Sequence, residues 1–187
     1  MEWNLTNHAI DLEEQFFANQ DAELVAKLKA ELKAKEAKTA LASASGIKDP
    51  AVIDELFELG INPTTLAALS LVPLVEVAWA DLELDKREKG AILKAAAEKE
   101  ITPGTASYSL LENWLKAKPD KAFRKAWTDY VHALCQNLSA ENKDSFKKEI
   151  LESAYFVAKA SGGFLGMIEK ISSAEERVLS ELEAAFT

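Results

Sequence analysis

Cysteine is nearly absent from this 187-residue chain, which holds only Cys135. One thiol cannot close an internal disulfide, so the fold must rest on its core, and a reducing cytoplasm is the expected setting. Histidine is almost as scarce, with His8 and His132 alone. Zinc sites of Cys and His, and paired Glu-x-x-His di-iron motifs, therefore lack their ligands. Basic residues are outnumbered, 22 Lys and Arg against 31 Asp and Glu, for a net charge of -9. That balance disfavours nucleic acid as a partner, because phosphate binding needs a basic surface. Long apolar runs are missing too. The longest, "LAALSLVPLVEVAWA" at 66–80, is too short for a bilayer span and contains Pro73 and Glu76. No basic leader followed by an apolar run opens the chain, so a secretory signal is not expected.

What is present is helix-forming sequence. The chain is 48% apolar, with four Trp and eight Phe, enough for a globular core. Ala, Leu, Lys and Glu dominate, no segment alternates as a strand does, and the fold class is all-α. Residues 21–43 read as one helix, with Leu24, Leu28 and Leu32 at intervals of four and Val25 widening the stripe. The preceding "IDLEEQFF" reads as a separate short helix, with "NQD" as the break. Together they form an N-terminal helical extension, residues 1–46, ahead of a helical domain at 47–187. The narrow stripe marks the extension as a surface for a protein partner or for homo-oligomerisation.

Within the domain, Gly46 and Gly60 are placed to end helices, and Asp49-Pro50 and Asn62-Pro63 to start them. The helix starting at Asn62-Pro63 includes Pro73 and should kink one turn before it. Further helices are expected at about 86–100, 104–117, 120–137, 140–160 and 173–186. A partial repeat links two of the junctions. "VAWAD" (77–81) resembles "VAKAS" (157–161), and "LDKREKGAIL" (84–93) resembles "ISSAEERVLS" (171–180). Leu84/Ile171, Asp85/Ser172, Glu88/Glu175 and Ile92/Leu179 fall in register, with extra residues in the second copy inside "GGFLGMIEK". The pattern is a duplicated helix-loop-helix unit.

The segment "ADLELDKRE" resembles the motif of the TerB-like family, helical domains associated with tellurite resistance. Asp81 and Glu88 match its acidic positions, Leu82 stands in place of the usual Gly, and Ser161 replaces the Asp in the second copy. The resemblance covers about residues 50–187. It implies a compact all-helical bundle, a cation-binding acidic loop, and a tellurite or stress-response setting.

Two features carry candidate chemistry. Asp81, Glu83 and Asp85 occupy alternate loop positions and, with Glu88, could converge on Ca²⁺ or Mg²⁺. An EF-hand is excluded, because Lys86 and Ile92 stand where its Gly and Glu belong. Against the cation reading, Asp85-x-x-Glu88 is a helix capping box, repeated as Ser172-x-x-Glu175. Capping accounts for Asp85 and Glu88 and leaves Asp81 and Glu83 without a structural duty. The second feature is the glycine-rich segment 160–172, whose Phe164, Leu165, Met167 and Ile168 either tuck into the core or dock a partner protein or lipid surface.

Other candidates are weaker. His132 and Cys135, three apart, could chelate a metal but have no second pair and read as buried or half-buried. Tyr108, Trp114, Trp127, Tyr130 and Phe156 read as core. The leading expectation is a non-catalytic, protein-binding helical module with a divalent-cation loop. The alternatives are a metal-assisted enzyme with a helical pocket, using Asp81 and Glu83, or a membrane-peripheral scaffold using the 162–168 loop.

Overall fold

The computed structural model describes the backbone of residues 3–161 and 171–187, and the side chains of 23–160 and 171–187. Every regular element among them is a helix. The chain forms two compact units, Met1–Thr39 and Ala40–Thr187. The division falls before residue 46 because Leu41, late in the first helix, is fully buried in the core of the second unit.

Helix α1 (Trp3–Ser45) runs unbroken through Asn19-Gln20-Asp21, where two helices were expected. Asn and Asp favour caps, but with no Gly or Pro beside them they do not interrupt the hydrogen-bond ladder. At its end Gly46 adopts φ 73°, the left-handed value that stops a helix without a Cβ clash. Helix α2 (Pro50–Glu58) then starts as its sequence dictates, with the Asp49 carboxylate accepting from the Ala51 amide at 2.9 Å.

The segment from Asn62 departs from expectation. Asn62 builds a turn by accepting from the Thr64 amide at 2.9 Å, and a 3-10 stretch follows at Leu66–Leu71. Pro73 then lies in the first turn of helix α3 (Val72–Ala78). One kinked helix is thus replaced by two elements, because Pro is well tolerated where its missing N–H has no intrahelical partner. The remaining helices are α4 (Lys86–Glu98), α5 (Ala106–Lys116), α6 (Lys121–Cys135), α7 (Ala140–Ser161) and α8 (Ser173–Ala184).

Helix α3 is the centre of the second unit. All seven of its residues are buried, and α4, α6, α7 and α8 pack against it. Its continuous apolar run is what a helix covered on every side requires. Phe123 meets Trp114 edge-on at 4.8 Å between ring centroids, and Trp127 and Phe146 both meet Phe186. The two repeated helix pairs, α3–α4 and α7–α8, lie against each other in this core.

Candidate functional sites

The acidic loop begins where α3 runs out at Ala78. Trp79 anchors it, its indole N–H donating to the Trp114 carbonyl at 3.0 Å, while its own carbonyl accepts from Lys118 Nζ at 2.7 Å. The same carbonyl accepts from the Leu82 amide at 3.2 Å, which closes a tight turn. Leu82 sits at φ 75° and is 70% exposed. Leu82, which stands where the resembled motif has Gly, takes a left-handed conformation at a steric cost of about 1–2 kcal/mol.

Asp81 has a structural duty after all. Its Oδ1 accepts from the Glu83 amide at 3.2 Å, an Asx turn that supports the left-handed residue between them. Glu83 is exposed, and its carboxylate is the one member of the set for which the turn and the cap give no role. Asp85 and Glu88 complete the capping box of α4. Asp85 Oδ1 accepts from the amides of Arg87 at 2.7 Å and Glu88 at 2.8 Å, and Glu88 Oε2 accepts from the Asp85 amide at 2.9 Å. The second copy does the same at α8. Ser172 Oγ accepts from the Glu175 amide at 3.2 Å, and Glu175 Oε2 from the Ser172 amide at 2.6 Å.

Glu88 and Glu175 are both buried, each 4% exposed. Burial pushes the Glu88 carboxyl up to about 7, with the charges of Asp85, Asp81 and Glu175 adding to the rise and the Asp85 amide opposing it. Asp81, Asp85 and Glu88 of the loop are thus coupled in charge, and Glu83 stands outside that coupling. Among the described residues no group of three or more His, Cys, Asp or Glu is disposed to hold a metal ion.

The second unit holds an ion-pair network that sequence reading missed. Glu76, buried in α3 at 7% exposed, pairs with Arg124 of α6, which also pairs with Glu181 of α8. Lys125 joins Glu55 of α2 to Asp129, and those hydrogen bonds, Asp129 first, raise its pKa. A cleft of about 510 Å³ is lined by Glu76, Lys118, Lys121, Arg124, Lys125 and Asp129 among others. Lys118, Arg124 and Lys125 are engaged with protein acceptors rather than held apart for a ligand. The signal in the sequence was Glu76 alone, one carboxylate inside an apolar run, which must find a partner when buried.

His132 is exposed, contrary to expectation, and Cys135 is half-buried. Burial raises the Cys135 pKa despite the lowering charge of Lys143, so it stays a thiol at neutral pH rather than a poised nucleophile. Phe156 is likewise not core: it is 53% exposed, with Lys94 Nζ 5.7 Å from its ring centroid. Its neighbour on α7, Tyr155, is 45% exposed. Helical periodicity puts positions 155 and 156 off the α7 stripe of Ile150, Ala154, Val157 and Ala158 that enters the core. Phe164, Leu165, Met167 and Ile168 lie outside the described residues.

On α1, Leu24, Val25, Leu28 and Leu32 are 56%, 48%, 50% and 60% exposed. This is an uncovered apolar ridge on a regular helix. No helix among the described residues is long and apolar enough to cross a membrane. The chain matches no protein-family model, no curated protein and no solved structure.

Proposed function

We propose that the chain is a non-catalytic, TerB-like helical module that works in the cytoplasm by binding protein through the ridge of α1. The observation that carries this reading is the exposure of Leu24, Val25, Leu28 and Leu32 together on one helix. Scattered exposed leucines are ordinary, but a row of them at helical spacing is how a helix presents itself to a partner. A photo-reactive residue at position 28 should crosslink to protein in cells, while one at Ala26, off the ridge, should not. Equal, background crosslinking at both positions would overturn the reading.

The acidic loop forms the second part of the proposal, a weak Ca²⁺ or Mg²⁺ site on the solvent side of the turn through Asp81 and Glu83. Its support is the negative charge of Asp81 and Asp85 beside Glu88, which adds to the rise that burial produces and which a cation would relieve. Asp85 and Glu88 contribute charge while capping α4. Millimolar Ca²⁺ or Mg²⁺ should raise the melting temperature, and Asp81→Asn should remove that rise. An unchanged melting temperature in the native chain sinks the cation site. The tellurite and stress-response setting follows from the TerB-like motif in this reading.

A further inference from the structure

We infer that the partner on the α1 ridge is a second copy of the chain, bound antiparallel about Leu28. This deepens the protein-binding reading and rests on it. Leu24, Leu28 and Leu32 follow one another in four-residue steps and so form one ridge, which is symmetric about Leu28. When two such helices lie antiparallel, Leu28 meets Leu28 of the second copy and Leu24 meets Leu32 of the second copy. The same two-fold axis brings Leu32 to Leu24 of the second copy. The patch is therefore self-complementary and closed, as a two-fold interface requires.

The flanking charges select the direction. Lys27 and Glu31 lie on the same side of the ridge, one turn apart, and all of residues 23–32 are exposed. In the antiparallel pair Lys27 approaches Glu31 of the second copy, and Glu31 approaches Lys27 of the second copy. That places two opposite-charge pairs beside the leucines. In a parallel pair, with Val25 and Leu32 at the a positions and Leu28 at d, Glu31 instead faces Glu36 of the second copy, a like-charge contact made twice. Charge thus disfavours the parallel arrangement and supports the antiparallel one.

Solution mass of the full chain, by sedimentation or light scattering, tests this. The native chain should run as a dimer, and Leu28→Asp should halve its mass while its circular dichroism stays helical. Lys27→Glu and Glu31→Lys should each dissociate alone, because each makes like-charge contacts across the axis. Mixed together they should form a heterodimer, since every cross-axis contact between residues 27 and 31 is then opposite in charge. Repulsion within each helix is the same alone and mixed, so the rescue reports the contact between copies. A native chain that stays monomeric at its highest soluble concentration overturns the dimer. If position 28 then crosslinks to another protein, the binding reading survives without self-association; if it crosslinks to nothing, both fall. A monomer that sediments with vesicles of anionic lipid reassigns the ridge to a membrane surface and overturns the dimer. A native dimer whose Leu28→Asp form keeps its mass, or whose charge variants fail to restore each other, overturns the antiparallel ridge.

Discussion

Leu24, Leu28 and Leu32 of α1 have the same side chain as Leu69, Leu71 and Leu74 around the start of α3, yet the first three are half exposed or more and the last three are buried. Both sets sit on helical segments rich in Leu and Ala. The difference is in what stands around them. In the second unit, α4, α6, α7 and α8 surround Leu74 on α3, and α3, α4 and α5 pack on the 3-10 stretch of Leu69 and Leu71, so these leucines are covered. A ridge on a single helix has nothing of its own to cover it. Hydrophobicity supplies the drive to be buried, but the number of packed neighbours decides whether burial happens within one chain or between two.

The largest test of this contrast lies in the core. Trp127→Ala should cost about 3–5 kcal/mol in urea unfolding, because Trp127 is 1% exposed and its removal leaves a cavity. A loss no greater than that of a surface substitution would mean the second unit is loosely packed. Next comes Glu88. Its pKa is about 7 in the folded chain against an ordinary 4.5, so the native state holds the proton more tightly than the unfolded state does. The resulting stability is fully present below pH 4.5 and is lost as pH rises through 7. With solvent screening the loss is about 1–3 kcal/mol. Unfolding curves at pH 5 and pH 8 should show it, and Glu88→Gln, which can still cap, should flatten the dependence.

The two capping boxes allow a like-for-like comparison. Asp85→Ala and Ser172→Ala should each cost about 1 kcal/mol, read as a lower unfolding midpoint. The Asp85 change carries a partial offset, since it also removes a negative charge from beside Glu88. Leu82→Gly should stabilise by about 0.5–1 kcal/mol, net of the entropy Gly adds to the unfolded chain, by relieving the left-handed strain at φ 75°. Equal or lower stability would mean that Leu82 is held there by contacts worth more than its strain. Smallest of all, Leu28→Asp should change the stability of the dilute chain by no more than about 0.5 kcal/mol, since the residue is already half exposed.

Local chemistry made much of the fold readable. Helices α4 to α8 lie close to where caps and periodicity place them, because Asp85, Thr105, Asp120, Ser139 and Ser172 each bond an amide two or three residues away. The 3-10 stretch at Leu66–Leu71 was not readable, since its apolar sequence suits a buried α-helix equally well. Nor was the Glu76–Arg124 pair, whose partners are 48 residues apart with nothing in either segment to name the other. At the acidic loop, the Asp-x-x-Glu spacing makes the capping roles of Asp85 and Glu88 legible. The turn duty of Asp81 was missed, because it depends on Leu82 adopting a conformation that Leu rarely takes.

The sequence by itself determined that this chain is helical, where most of its helices start, and that one capping device appears twice, since these are contests between neighbours a few residues apart. Only the tertiary structure decided that Glu88 and Glu175 would be buried within reach of each other's charge, that Glu76 would find Arg124, and that the leucines of α1 would stay uncovered. Burial and long-range pairing are properties of the packed assembly of helices, and a helix carries no record in its own periodicity of which neighbours will arrive to cover it.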